Sequence, residues 1–239
     1  MKRINKRITI VTNVVLTIVF LVVVAVSFIP ENIVPIYGGN QVTAIYRGNT
    51  QNPNVSLMFN VYENTQVVEE IVELLDKKGV KATFFVGGCW ADDNAETLKK
   101  IVASGHELAN HGYFHKDHKK LTYEKNKEEI SLTGVVVKAL CGVELTLFAP
   151  PSGSFNEATL EASFDLGYKV IMWSKDTIDW RDSDQNLIYN RATKNPSNGD
   201  LILMHPKKHT LSVLPKIIDF YLNLGYKLTT VSKNIASDI

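Results

Sequence analysis

The sequence has little net charge and few cysteines. Its 239 residues include 26 lysines and arginines and 25 aspartates and glutamates, so the formal net charge is +1 and no nucleic-acid surface is indicated. Cys89 and Cys141 are too few for a disulfide framework; they pair outside the cytoplasm or are two buried thiols. Repeats, low-complexity segments and phosphate-binding glycine loops are also lacking, which argues against a repeat protein or a P-loop protein.

The chain does have one long uncharged run near its start. Four basic residues lie within positions 1–7, and residues 8–29 then carry no charge and are rich in valine, isoleucine and leucine. About 20 apolar residues span a bilayer as a helix, and the basic cluster should stay in the cytoplasm, which places the rest outside. A secreted protein is the alternative, because Ala25 and Ser27 form a small-x-small cleavage pattern. The length of the run favours an uncleaved anchor.

The rest of the chain predicts a linker and one domain. Residues 30–53 are polar and interrupted by proline and glycine, with one short strand predicted at 42–46. Residues 54–239 form the domain, in which apolar runs predict seven strands, at 55–59, 82–86, 107–110, 145–148, 169–173, 201–204 and 227–230. Helical periodicity between them predicts six helices, at 65–78, 95–104, 123–140, 157–166, 186–193 and 211–224.

This alternation of strands and helices predicts the fold class. Strands separated by crossover helices run parallel, so we expect an α/β domain with about seven parallel strands in a barrel or an open sheet. Functional residues of such folds gather at the carboxyl ends of the strands. Most of the segments with chemically suggestive residues follow a predicted strand directly, so one shared pocket is expected.

Several histidines and one aspartate are candidate metal-binding or catalytic residues. His111 and His115 are four residues apart, so both imidazoles can lie on one side of a helical turn and share zinc, cobalt or manganese. Asp179 precedes Trp180 in a second segment, and His205 ends an apolar strand. Each has an ordinary alternative when taken alone: clustered surface histidines, a helix-capping acid beside a buried aromatic, and a packed histidine.

Five segments, taken in order, resemble the five motifs of the NodB-type polysaccharide deacetylases (carbohydrate esterase family 4). They are residues 58–61, 111–115, 148–153, 176–180 and 203–205. The resemblance covers roughly residues 55–231. It implies a fold, a NodB-like distorted (β/α) barrel. It also implies an activity, the removal of acetyl groups from N-acetylated sugars with the help of a divalent metal. The fourth motif matches the family's Asp-x-x-Asp-Trp in full, and the second keeps both histidines but has Gly112 in place of serine or threonine.

The resemblance implies catalytic and metal-binding roles. His111 and His115 would hold the metal. His205 would protonate the leaving amine, and Asp179 would hydrogen-bond to His205 and hold its protonation state.

Substrate-binding positions follow from the same resemblance. Trp180 would form a wall for the acetyl group or the sugar ring, and Leu203 would line the acetyl pocket. Pro151 and Ser152 belong to a segment that resembles the family's Phe-Arg-Pro-Pro-Tyr-Gly, in which a backbone N–H holds the oxyanion. Alone, that segment would be a plain proline turn.

Three positions depart from the family. Asn60 and Val61 stand where the family has the general-base aspartate and the aspartate that is the third metal ligand, and Ala149 replaces the arginine that pairs with the base. An amide has no useful basicity near neutral pH, and valine binds no metal. Asn60 could orient the water or offer its carbonyl oxygen to the metal, or these residues simply end a core strand. A substitute carboxylate would come from Glu63, Asp117 or Asp176.

Three functions compete. The first is a membrane-anchored, metal-dependent deacetylase of a polymer that contains N-acetylglucosamine, such as peptidoglycan or a chitin-like chain. The second is a catalytically impaired pseudoenzyme of the same fold that binds glycan or a wall-assembly partner. The third is a regulatory or structural membrane protein without a ligand, which leaves Asp179 and His205 unexplained.

Overall fold

The computed structural model describes residues 16–18, 20 and 42–236 of the chain. The strands in this part, β1 to β8, are Asn54–Val61, Thr83–Val86, Glu107–Asn110, Leu147–Phe148, Lys169–Val170, Lys175–Asp176, Leu201–Met204 and Lys227–Leu228. The helices, α1 to α8, are Thr65–Lys77, Gly88–Asp93, Ala95–Ala103, Tyr123–Cys141, Glu157–Asp165, Gln185–Thr193, Lys208–Asn223 and Val231–Ile235. Short 3-10 turns lie at His118–Lys120 and Pro151–Gly153.

The strands form one parallel sheet. Seven of them follow the order β5-β4-β3-β2-β1-β7-β6, and β8 pairs with the beginning of β1. Every pairing between these strands is parallel. The predicted α/β class with about seven parallel strands is therefore confirmed. The carboxyl ends of β1, β3, β4 and β7 lie at one edge of the sheet, which is where the site is built.

The shortest elements differ from the prediction. The strand predicted at 42–46 is a single bridge between Ile45 and Ile171, and β6 was not predicted at all. The strands predicted at 145–148 and 169–173 are two residues long each. Helices α2 and α8, of six and five residues, were also missed. A periodic pattern needs more residues than these elements contain, and their pairing depends on neighbours that are distant in sequence.

Strand β1 separates two buried clusters, because successive side chains of a strand point to opposite faces. Phe59 and Val61 belong to the outer cluster, between the sheet and the helices. That cluster includes the buried stripe of α1, which is Val67, Val68, Ile71, Val72 and Leu75. Met58 belongs to the inner cluster, which also contains Phe85, Leu201 and Leu203. Asn60 follows Met58 by two residues and shares its face.

The predicted anchor at 8–29 and the first part of the predicted linker at 30–53 fall mainly outside the described residues. Within the part that is described, no helix combines the length and apolar character needed to cross a bilayer. The second half of the linker packs on the sheet, because Arg47 Nη1 lies 2.6 Å from the buried Asp200 Oδ1. The compact unit that carries the sheet begins at Val42.

Candidate active site

A pocket of about 290 Å³ opens at the carboxyl ends of the strands. Seven of the nine predicted site residues line it: Asn60, His111, His115, Ser152, Trp180, Leu203 and His205. Tyr62, Trp173 and Asp176 complete the lining. The five segments that the sequence singled out therefore meet in one place. Asp179 and Pro151, the other two predicted residues, do not line the pocket.

Asp179 lies behind His205 and holds it from two directions. Its Oδ1 is 2.7 Å from His205 Nδ1, and its Oδ2 accepts a hydrogen bond of 2.8 Å from the His205 backbone N–H. Because a carboxylate only accepts, Nδ1 carries the proton and Nε2 is left for the pocket. This orientation suits His205 to exchange a proton with a bound ligand at Nε2.

Two residues of helix α7 that sequence reasoning missed support Asp179. Thr210 donates its hydroxyl to Asp179 Oδ2 at 2.6 Å, and His209 Nε2 donates to the Asp179 backbone carbonyl at 2.8 Å. They lie four and five residues after His205, at the start of the helix, and belong to none of the five segments. Their closeness in sequence to His205 was the one feature that could have pointed to these two polar residues.

The charge state of Asp179 follows from these contacts. Burial alone would raise the pKa of this carboxyl, which is 1% exposed. The hydrogen bonds from His205 and Thr210, together with the charge of His205, outweigh burial and lower the pKa below its ordinary value. Asp179 is therefore a carboxylate at neutral pH.

On the opposite wall, His111 has a fixed tautomer. Its Nδ1 is 2.7 Å from the backbone carbonyl of Ala149, which can only accept, so Nδ1 is the donor and Nε2 keeps a lone pair. Burial, with a smaller effect from neighbouring His115, holds the pKa of His111 well below its usual range. The imidazole is thus neutral. Ala149, at the position of the family's arginine, is itself fully buried and serves this contact through its backbone.

His115 lies beside His111 and under an aromatic ring. The two imidazole centroids are 5.1 Å apart, and the ring of Tyr62 lies 4.2 Å from that of His115. Burial lowers the pKa of His115 also, and nearby His205 adds to this. His115 has a left-handed φ of 54°, which only a well-anchored loop retains in a non-glycine residue.

The anchor of that loop is Glu129 on helix α4. This carboxylate, 3% exposed, accepts from the backbone N–H groups of Tyr113 and Phe114 at 3.0 and 2.8 Å, and pairs with Lys116 at 2.9 Å. Sequence reasoning did not find Glu129, since it lies outside every motif. It fixes the segment between the two predicted metal ligands.

Gly112 has no room for a side chain. Its φ is +73°, and a Cβ there would come within 2.9 Å of Nε2 of the fully buried His118. His118 thus fills the space beside the loop where the family's serine or threonine side chain would begin.

We expect Gly112→Ala to destabilise the domain more than Gly142→Ala. Both glycines have left-handed φ, 73° and 71°, so both variants lose about 1–2 kcal/mol from backbone strain. A Cβ at Gly142 meets nothing within 4 Å, whereas one at Gly112 meets His118 and adds roughly 1–3 kcal/mol of overpacking. Urea unfolding of the two variants measures the difference; equal losses would show that His118 moves aside freely.

Asn60 and Val61 face different sides of strand β1. Asn60 lines the pocket, is 2% exposed, and its Oδ1 has no hydrogen-bond partner in the part of the chain that the structure describes. Val61 is fully buried in the outer hydrophobic cluster, under the helices. The position of the family's third metal ligand is therefore apolar and also turned away from the pocket.

This arrangement does not fit a catalytic metal. Such zinc sites have three protein ligands, and the pocket supplies the two imidazoles of His111 and His115. Among the described residues no group of three histidine, cysteine or acidic side chains could hold an ion. An amide oxygen from Asn60 is a weak addition, since zinc prefers imidazole, thiolate and carboxylate.

Of the three candidate substitute carboxylates, Asp176 is the one that lines the pocket. Its Oδ1 accepts from the Ile178 N–H at 2.8 Å. Glu63 instead forms an ion pair with Lys207, and Asp117 accepts from Ser154 Oγ at 2.5 Å.

The remaining predicted residues shape the mouth and the floor. Trp180 is 54% exposed, and Leu203, which also lines the pocket, is buried. Ser152 lines the pocket with a left-handed φ of 56°. Pro151, which is buried, begins the 3-10 turn that presents Ser152 and does not itself reach the pocket. The two thiols, Cys89 and Cys141, are free and partly exposed.

Comparison with known proteins gives consistent matches. The sequence profile described as polysaccharide deacetylase matches residues 47–171. The uncharacterized protein YlxY of Bacillus subtilis is 37% identical over 79% of this chain; the chain spans 59% of that protein's length. A peptidoglycan-N-acetylglucosamine deacetylase of Bacillus cereus is 29% identical over 75% of this chain and 86% of its own length.

The similar solved structures include an inactive protein. The crystal structure of a CE4 family pseudoenzyme from Bacillus anthracis has a TM-score of 0.79 and 31% identity, over 82% of this chain and 70% of that one. A mutant of that pseudoenzyme with restored enzymatic activity has the same TM-score at 30% identity, over 82% and 72% of the two chains.

Proposed function

The chain belongs to the polysaccharide deacetylase family, and from this premise we propose that it is a membrane-anchored deacetylase of N-acetylated cell-wall polysaccharide, peptidoglycan or a chitin-like polymer. The observation that carries the proposal is the pair of His205 and Asp179 at the edge of a pocket walled by Trp180 and floored by Leu203. An apolar pocket with a few fixed polar groups suits an acetylated sugar.

The reaction would use the residues as follows. Water adds to the amide carbonyl carbon and loses a proton to the pocket carboxylate, Asp176. The oxyanion is held by the backbone N–H of Ser152, the role that the resemblance implies. His205, acting as the imidazolium with protons on both nitrogens, then gives its Nε2 proton to the nitrogen as the C–N bond breaks, so that acetate and the free amine leave. The proton taken up by Asp176 returns to His205 through solvent and completes the cycle. Asp179 pairs with the imidazolium through Nδ1 and keeps Nε2 directed to the pocket.

A divalent metal, zinc, cobalt or manganese, at His111 and His115 stays a prediction. Two imidazoles with no third strong ligand form a site that we expect to bind such an ion weakly. The proton transfers above are assigned to the chain's own residues for this reason.

We place the domain on the outer face of a cell membrane. The support is the uncharged run at 8–29 that follows the basic residues of positions 1–7. Secretion after cleavage near Ala25 is the alternative. In either case the pocket would meet the wall polysaccharide directly.

A pseudoenzyme that binds glycan is the second candidate function. Three observations favour it: Asn60 at the base position, Val61 turned into the core, and Ala149 in place of an arginine. The solved structure with 31% identity is also described as a pseudoenzyme. A protein with this function would bind the glycan in the pocket but would not hydrolyse it.

Acetate release by the full chain tests the proposal. The substrates are N-acetylglucosamine oligomers and purified peptidoglycan, each assayed without metal and with zinc, cobalt or manganese. We expect slow release that His205→Ala lowers by about 10²-fold, the usual contribution of a general acid.

The control is His209→Ala, which removes an imidazole that donates to the backbone carbonyl of Asp179 and leaves the Asp179 carboxylate and its hydrogen bonds to His205 in place. Release that is equal in His205→Ala and wild type contradicts the assigned acid. Binding of the oligomers without any release supports the pseudoenzyme.

A further inference from the structure

A segment of the predicted linker joins the two ends of the sheet. The strand order begins at β5 and ends at β6, and residues 171–174 connect these two strands. Residues 44–49, which we call the strap, lie beside this connection. The Ile45 N–H donates to the Val170 carbonyl, and the Ile45 carbonyl accepts from the Met172 N–H, both at 2.8 Å. One end of the strap is therefore fixed to the β5 side of the sheet.

The other end of the strap is fixed to the β7 side, where a buried carboxylate lies. The Gly48 N–H donates to the Gly199 carbonyl at 2.7 Å. Arg47 Nη1 lies 2.6 Å from Oδ1 of Asp200, whose side chain is fully buried. The same oxygen accepts a hydrogen bond of 2.8 Å from Ser174 Oγ, in the connection between β5 and β6. Asp200 thus links the strap to that connection.

Asp200 depends on Arg47 for its nearest counter-charge. A buried carboxylate is costly unless a cation and hydrogen bonds compensate it. The second cation, Lys175, lies farther away, with Nζ 3.6 Å from Asp200 Oδ2, and it also donates to the Asn195 carbonyl at 3.2 Å. Loss of the guanidinium therefore leaves Asp200 under-compensated, and the carboxylate then holds Ser174 less firmly.

The segment that the strap holds forms part of the pocket wall. Trp173 lies between Met172 and Ser174, the two residues that are linked to the strap, and Asp176 follows two residues later. Trp173 and Asp176 both line the pocket. The side chains of Trp173 and Ile45 also pack against the same inner hydrophobic cluster. The position of this wall is thus set by contacts on both sides of Trp173.

We propose that the strap positions this wall of the pocket, and that Arg47 is a positioning residue that acts through Asp200 and Ser174 on Asp176. One of the two readouts below rests on the proposed function, in which Asp176 takes the proton from water. The other does not depend on activity. A segment that composition marks as linker is, on this inference, part of the support of the site.

Hydrogen exchange of the full chain, followed by mass spectrometry, tests the positioning directly. We expect Arg47→Met to speed amide exchange in residues 171–176 by at least tenfold and to leave the central strand β2 unchanged, because a local opening exposes only the segment that it releases. The control is Lys78→Met, which removes an exposed ion pair of 2.7 Å with Asp219 and should change neither region.

The double variant Arg47→Met/Asp200→Asn tests the part played by the buried charge. An asparagine there carries no charge and still offers Ser174 an acceptor, so slow exchange at residues 171–176 should return. In acetate release we expect Arg47→Met to lower kcat about tenfold, as a small misplacement of a reacting group does, with a smaller effect on KM. The double variant should recover most of that loss.

Each outcome decides between the two proposals. Unchanged exchange at residues 171–176 in Arg47→Met overturns this inference, whatever the activity. Faster exchange in β2 as well shows that Arg47 supports only the overall stability, and also overturns it. A double variant without recovery refutes the role of the buried charge. If wild type releases no acetate while exchange responds as expected, the proposed function fails and the positioning of the wall stands.

Discussion

Asn60→Asp is expected to raise the rate of acetate release by about 10²-fold, the lower end of what a positioned general base contributes. The variant places a carboxylate on the pocket face of β1, where the amide Oδ1 now has no hydrogen-bond partner among the described residues. The gain should be limited because Ala149 offers no counter-charge, so burial raises the pKa of the new carboxyl. Its rate should therefore increase with pH across the neutral range.

Asn60→Ser is the matched control, since it keeps a polar group without a base and should release acetate no faster than wild type. The double variant with Val61→Asp tests the third ligand position. Because Val61 lies in the outer hydrophobic cluster, an aspartate there is buried without a partner, and we expect a clear loss of stability rather than a metal site. A stable double variant that binds zinc tightly would refute the orientation of Val61.

The structure of a pseudoenzyme mutant with restored activity shows that this fold regains turnover by substitution in a relative of 30% identity. In the present chain His205 is already paired with Asp179 at the pocket. If Asn60→Asp adds no activity, a second base beside Asp176 is not what the chain needs, and the weak metal site becomes the explanation.

Local patterns identified the parts of the site that follow a long strand. His111 comes directly after β3, Asn60 lies near the end of β1, and His205 comes directly after β7, so the strand pattern and the carboxyl-end rule together placed them in one pocket. The pairing of His205 with Asp179 agrees with the resemblance, although β6, which precedes Asp179, is only two residues long and was not predicted.

Other parts depend on contacts that no local pattern encodes. Glu129 reaches the loop after His111 from a helix 16 residues beyond Tyr113, and Thr210 reaches Asp179 across 31 residues. The orientation of Val61 is a further example. The sequence alone showed that a valine at this position cannot bind a metal. The burial of Val61 under the helices, however, depends on how far β1 continues as a regular strand.

Asp179→Ala should lower the free energy of unfolding by about 3 kcal/mol, the lower end of the range for breaking a buried charged pair. The substitution leaves the His205 N–H, the His205 ring and the Thr210 hydroxyl without their acceptor in a buried place. Denaturant unfolding at pH 7 measures the loss. Asp92→Ala, an exposed aspartate of helix α2, is the control and should remain close to wild type.

The pH dependence of this difference identifies its electrostatic origin. Because the folded-state pKa of Asp179 is lowered, its contribution is fully present above the ordinary aspartate pKa of about 3.9. It is lost as pH falls from there through the lower, folded-state pKa. The stability gap between wild type and Asp179→Ala should therefore be constant from pH 5 to 7 and narrow below about pH 4. A gap that does not change with acidity would mean that Asp179 acts through packing alone, and that His205 is not held by a charge.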